Sequence, residues 1–190
     1  MPPKTKVTRD MIVDAAVEVI RQNGIGSVNA RVVAARLRCS TQPVMYHFAT
    51  IESLKKAAYE RADRLHSEYL MQASPEEDPL LAIGLNYIRF AVKEPHLFRF
   101  LFQSGYAEKK NLADMIDSEE LVPVLGAMQE GAGLDPKKTR EVFLTVALFA
   151  HGYASILANN ALEYDEAMIA KHLERTWNGA VFAAAQEEEP

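Results

Sequence analysis

The sequence predicts an all-α fold of about nine helices, with a small basic head followed by a larger acidic body. Three observations carry this. Apolar residues recur at helical spacing through nearly every segment, and no stretch alternates as a strand does. Capping residues and Gly or Pro stops punctuate those segments at helix-like intervals. The charge is segregated: through Lys56 there are nine Lys/Arg against four Asp/Glu, and the rest of the 190 residues hold twelve bases against twenty-two acids. A basic head suits a polyanion, and an acidic body resists non-specific adhesion to it. The single cysteine, Cys39, excludes an internal disulfide and suits a reducing compartment. No apolar run reaches the roughly 18 residues that cross a bilayer, and the lysines of the N-terminus precede no apolar signal core. The expectation is a cytoplasmic protein with no membrane partner.

The elements follow in order. In "TRDMIVDAAVEVIRQNG", Ile12, Ala15, Ala16, Val19 and Ile20 share one helical face, Thr8 is the N-cap and Gly24 the stop. "NARVVAARL" is a short helix capped by Asn29, with Val33, Ala34 and Leu37 inward. "STQPVMYHF" is another, capped by Ser40, with Pro43 tolerated in the first turn. A long fourth helix spans about 51–71. "SPEEDP" breaks the chain, and "LLAIGLNYIRFAVK" and "HLFRFLFQSG" are helices separated at Glu94-Pro95. "YAEKKNLADMIDS" is a connector, and "EELVPVLGAMQEGAG" is a helix interrupted near its start by Pro123. The two last helices are long, opened by Asp135-Pro136 and by Asp165, and the tail "QEEEP" frays.

The second and third helices meet across the short step "RCS". Two short helices joined in this way make a helix-turn-helix candidate, whose second helix enters the DNA major groove. Its first turn presents Ser40, Thr41, Gln42 and Pro43, small or polar groups suited to phosphates and base edges. Gln42 suits adenine, Met45 or Pro43 a thymine methyl, and Tyr46 and His47 the backbone phosphates. The competing reading is a plain helical hairpin.

The order of these features resembles the DNA-binding domain of the TetR family of bacterial transcriptional regulators. The resemblance runs from Thr8 to Leu54 through "IVDAAVEVI", Gly24 and "SVNARVVAARLRCSTQPVMYHFATIESL", with Leu37, Ser40, Tyr46, Phe48 and Leu54 in matching places. It implies DNA contacts from Arg31, Arg38, Ser40, Thr41, Gln42, Pro43, Met45, Tyr46, His47 and Lys55. Three positions depart from the family pattern. Arg38 replaces a turn glycine, Met45 a tyrosine, and Ile51 a lysine at the start of the fourth helix, for which Lys55 or Lys56 compensates in part. If the turn needs φ > 0 at Arg38, the cost is roughly 1 kcal/mol.

The resemblance also implies what the body does: a domain at 1–54 reads DNA, and one at 55–190 dimerises and binds a small inducer. The last two helices are the candidate dimer face, through Ala147, Leu148, Ala154, Ser155, Leu157 and Ala158, then Ile169, Leu173, Trp177, Ala180 and Val181, with the monomer core as an overlapping alternative, since each long helix can bury two faces. Ala154 and Gly179 are small enough for close helix approach. His151-Gly152 resembles a His-Gly pair in the penultimate helix of a TetR subgroup. Tyr87, Phe90, Phe98, Phe102, Met128, Phe149, His151 and Tyr153 are candidates to line a pocket for an apolar or amphipathic inducer, with ordinary core packing as the alternative.

Chemistry is otherwise scarce. The five histidines lack His-Glu-x-x-His spacing, and no phosphate loop, dinucleotide fingerprint or nucleophile elbow occurs. The expectation is no enzyme, no metal and no cofactor. Two classes remain: a ligand-responsive repressor that binds a palindromic double-stranded operator as a homodimer, and a helical adaptor that has lost DNA binding.

Overall fold

Thr8 opens the first helix as the sequence requires. Its hydroxyl accepts the Met11 amide at 3.2 Å, and the helix, α1, runs Arg9–Asn23 to Gly24, whose φ of 77° ends it. The computed structural model describes residues 7–72, 79–107, 121–160 and 162–186. Lys4, Lys6, most of "SPEEDP", the body of the 106–118 connector and most of the acidic tail lie outside the described residues. Among the described residues there are nine α-helices, one 3-10 turn at Ile25–Ser27 and no strand. Packing divides the chain into one unit of residues 1–66 with 94–107 and another of 67–93 with 108–190.

The first unit contains α1, α2 (Ala30–Arg36), α3 (Thr41–His47), most of α4 (Ile51–Leu70) and α6 (Pro95–Gln103). α1 packs against both α2 and α6, so its buried face is wider than the predicted stripe and adds Val13 and Val17. Glu18 pairs with Arg21 and, at 3.2 Å, with Arg36, while Arg21 reaches Glu94 at 2.9 Å. Thr50 caps α4 by accepting the Ser53 amide at 3.0 Å, and Leu54, Ala57, Ala58, Ala62 and His66 form the inner face. Phe98 is fully buried here and lies 4.9 Å from the Phe102 ring, which meets His66 edge-on at 5.2 Å.

The second unit begins with the last turn of α4 and adds α5 (Pro79–Lys93), α7 (Val122–Ala132), α8 (Pro136–Asn159) and α9 (Glu166–Gln186). α8 is its axis, packing on α5, α7 and α9. Pro123 does not interrupt α7. It lies in the first turn, where the missing amide forfeits no intrahelical bond. Asp135 caps α8 through the amides of Lys137 and Lys138 at 2.8 and 3.0 Å, and Asp165 caps α9 through Met168 at 3.0 Å.

One expectation about α8 needs correction, and the open choice between dimer face and core is decided for four residues. α8 is long and apolar enough, by length and composition alone, to cross a membrane, although no such run was expected. The reason is that its apolar residues serve more than one face: Val142, Ala150, Ala154 and Ala158 are buried, while Leu148 and Ile156 are exposed. The candidate dimer residues Ala154, Ala158, Ile169 and Leu173 are core of this unit. The apolar groups left outside are Leu148 and Ile156 on α8, with Met168 and Phe182 on α9.

Candidate functional site

The turn between α2 and α3 is a Schellman closure. The Cys39 amide donates to the Ala34 carbonyl at 3.0 Å and the Arg38 amide to the Ala35 carbonyl at 3.1 Å. This needs a left-handed residue, and Arg38 supplies it with φ 53°, alone among the described non-glycine residues. The turn therefore keeps its geometry without the usual glycine, and the Arg38 side chain is exposed at the start of the recognition helix.

α3 is held by Val44, which is fully buried, and by Phe48 just beyond it, which is covered by the Arg9 guanidinium at 4.9 Å. With those anchors inward, Thr41, Gln42, Met45 and Tyr46 face out, and Tyr46 is 83% exposed. Ser40 occupies the N-cap position but its hydroxyl makes no capping bond, contrary to expectation. That leaves an exposed hydroxyl beside Thr41 at a helix start. Arg31 is exposed on α2, and Pro43 is half-buried.

Two expected contacts are placed differently. The Nε2 atom of His47 lies 3.2 Å from the Val7 carbonyl, and its ring stands edge-on to Tyr46 at 5.2 Å. It ties the chain ahead of α1 to the recognition helix instead of facing out. Lys55 is half-buried and loosely paired with Glu52 at 3.9 Å. Arg36 is held by Glu18 and by Gln22 at 3.0 Å. The outward array is thus Arg31, Arg38, Ser40, Thr41, Gln42, Met45 and Tyr46.

The eight candidate inducer contacts are divided between the two units. Phe98 and Phe102 belong to the first unit's packing. Met128 is in the core cluster with Val124, Leu134, Val142 and Ala184. Phe90 is buried edge-on to Tyr69 at 5.5 Å. The rest form two pairs along α8. The Tyr87 hydroxyl is 2.9 Å from Nδ1 of His151, and the Tyr153 hydroxyl is 2.5 Å from Nδ1 of His172, with Phe149 edge-on to Tyr153 at 5.2 Å. Burial raises the Tyr87 hydroxyl pKa and lowers that of His151, disfavouring the charged form of each.

Sequence reasoning missed two features of the second unit. One is a polar clamp. The buried Asn86 amide donates to the carbonyls of Leu70 and Gln72 at 3.2 and 2.6 Å, at the end of α4. Its oxygen accepts from Arg89 at 3.0 Å. Arg89 in turn grips Glu166, the first residue of α9, by two bonds of 2.9 and 2.6 Å, and the Tyr164 hydroxyl donates to the same carboxylate at 2.6 Å. The bonds from Arg89 and Tyr164 hold Glu166 down at a pKa of about 2. The only signal in the sequence was an Asn and an Arg three apart on an otherwise apolar helix. The other feature is a cavity of about 310 Å³ lined by Leu81, Gly84, Gly131, Val146, Leu173, Glu174, Trp177 and Asn178, none of them among the eight candidates. The mid-helix Gly84 was its one legible trace.

A helix-turn-helix with an outward polar array, joined through one long helix to a helical body, defines a class of DNA-binding regulators. Comparison with known proteins agrees. Residues 80–178, more than half of the chain, match the family described as tetracyclin repressor-like, C-terminal domain. A relative from Bacillus subtilis (strain 168), the uncharacterized HTH-type transcriptional regulator YobS, is 20% identical over 171 residues and 87% of each chain. A single-site variant of TetR from Acinetobacter baumannii AYE, solved in complex with minocycline, superposes with a TM-score of 0.62 at 17% identity, covering 96% of this chain and all of that one. The multidrug binding protein EbrR complexed with ethidium gives a TM-score of 0.59 at 23% identity, over 88% of this chain and 97% of that one. The chain belongs to the TetR family of transcriptional regulators.

Proposed function

We propose that this protein is a ligand-responsive repressor that binds a palindromic operator as a homodimer and leaves it when a small apolar or amphipathic inducer enters the second unit. The observation that carries the reading is the outward array on α3 and its turn. Seven side chains with hydrogen-bonding, cationic or methyl-contacting ends are exposed, four on α3, two in the turn before it and Arg31 on α2, while the other face of α3 is anchored by Val44 and Phe48. Arg31 and Arg38 serve phosphates, Thr41 and Gln42 base edges, and Met45 a thymine methyl. Ser40 and Tyr46 serve phosphate oxygens.

The dimer forms through α8 and α9. Leu148, Gly152 and Ile156 lie in a row on α8, and Gly179 lies beside Phe182 on α9. A Cβ added at Gly152 or Gly179 would meet nothing within 4 Å in the protomer. Each mid-helix glycine costs about 1 kcal/mol relative to alanine. No contact inside the protomer accounts for that cost, and close approach of a partner helix does. Two solved structures of similar fold, one in complex with minocycline and one with ethidium, support the inducer half of the reading.

The test is selection of binding sites from a random duplex pool. A twofold-symmetric site with half-sites about one helical turn, roughly 34–36 Å, apart is expected. Gln42→Ala relaxes preference at one symmetric pair of positions, whereas Arg38→Ala weakens all sequences alike. No enrichment even at low salt overturns the reading in favour of a helical adaptor.

A further inference from the structure

We propose that the cavity between α5, α7, α8 and α9 is the inducer site, and that it takes a planar aromatic cation. This rests on the repressor reading for its regulatory meaning but not for its chemistry. The walls come from four helices of one unit. Leu81 and Gly84 are one turn apart on α5, Gly131 is on α7, and Val146 is on α8. Leu173, Glu174, Trp177 and Asn178 form a single strip of α9. At about 310 Å³ the space holds a body of about two or three fused rings, near the lower end of small-molecule sites.

Its floor is open because two positions lack a side chain. A Cβ at Gly84 would approach Leu173 Cδ1 at 3.5 Å, an ordinary contact, and one at Gly131 would meet nothing within 4 Å. Packing therefore does not require glycine at either place. Gly84 in mid-helix gives up helix stability of about 1 kcal/mol, and what it leaves is room.

The lining also sets the charge of the occupant. Among the described residues Glu174 is the one ionisable group of the lining, and it has no ion pair. Among the described residues, no Lys, Arg or His lines the cavity. Glu174 is exposed at the rim; an anion would be repelled by that carboxylate with no compensating cation in the described lining, and a neutral apolar body would gain nothing from it. A cation satisfies it. Trp177, one turn along the same face, offers the aromatic surface on which a flat cation rests best. The Asn178 amide adds one directional donor and acceptor.

Trp177 is the only tryptophan, so its emission reads the cavity directly. Three probes on one three-ring frame separate the possibilities: aminoacridine as the cation, acridine as the neutral frame and acridine carboxylate as the anion, each titrated at neutral pH into the full chain. Aminoacridine is expected to quench Trp177 at the lowest concentration. Glu174→Gln weakens it about five- to tenfold and leaves acridine unchanged. Gly84→Ala, which the 3.5 Å contact tolerates, weakens aminoacridine about tenfold by narrowing the floor. Equal binding of all three frames, tighter binding of the carboxylate, absence of quenching, or indifference to Glu174→Gln or Gly84→Ala overturns the assignment. Duplex selection on the same preparation separates the two claims. A selected operator with no quenching sinks the cavity and leaves the repressor, while quenching without an operator does the reverse.

Discussion

Arg38 holds a backbone conformation that glycine adopts freely, at a cost of roughly 1 kcal/mol, and it does so where its guanidinium is exposed beside the recognition helix. Arg38→Gly is therefore expected to raise stability by about 1 kcal/mol in urea while lowering operator affinity. The slope of log affinity against log salt should flatten by about one phosphate contact. An unchanged slope would show that Arg38 is only a turn residue. His66 works in the opposite sense. It is 6% exposed against Phe102, and burial lowers its pKa from 6.5 to about 4. The unfolded chain thus binds a proton more readily than the folded one between those values. Stability is full above about pH 6.5 and falls by about 3 kcal/mol as pH drops towards 4, below which this contribution is exhausted. Urea midpoints across that window should lose most of this slope in His66→Leu; a slope that persists would put the acid sensitivity elsewhere.

At the scale of elements, α4 carries the argument. Its N-terminal part packs in the DNA-reading unit and its last turn in the other, where Asn86, Arg89, Glu166 and Tyr164 hold the end of α4 to the start of α9. A change at the α9 end therefore reaches the last carbonyls of α4 through direct bonds. Arg89→Ala leaves both the Glu166 carboxylate and the Asn86 oxygen without this donor, and is expected to cost about 2 kcal/mol. Glu166→Gln costs less, since that side chain is 43% exposed and screened. The acid dependence runs as for any carboxylate with a depressed pKa. The stability is present above the unfolded value of 4.5 and is lost as pH falls towards about 2, a lower window than that of His66. If Arg89→Ala leaves the urea midpoint where it was, the clamp carries no stability.

At the scale of the molecule, the segregated charge and the exposed row on α8 and α9 point the same way. The proposed homodimer, built on Leu148, Gly152, Ile156 and Phe182, would bring one basic head per protomer to the polyanion. Leu148→Arg with Phe182→Arg is expected to give a folded monomer by light scattering, with at least a hundredfold loss of operator affinity, because two half-sites no longer bind as one. Gly152→Leu is expected to weaken the dimer without unfolding the protomer, since nothing in the protomer lies within 4 Å of an added Cβ. A dimer that survives both changes would place the interface on another face.

Much of this was legible in the chain itself because its causes are local. Helix starts at Thr8, Asn29, Asp135 and Asp165, the stop at Gly24 and the strained turn at Arg38 depend on hydrogen bonds and steric limits within a few residues. The apolar period that marks each helix is local too. The tertiary structure decided whatever depends on which helix packs against which. Periodicity shows that a face is buried but not by what, so Phe98 and Phe102 were grouped with Tyr87 although they pack in the other unit. For Ala154 and Leu173 the sequence left dimer face and monomer core open, and α8 and α9 bury them in their own core. His47 was placed on phosphate although the Val7 carbonyl, forty residues away in the chain, holds its ring. The cavity is the clearest case. It is the space left by four helices around two glycines, and no local rule records where side chains from distant segments fail to meet.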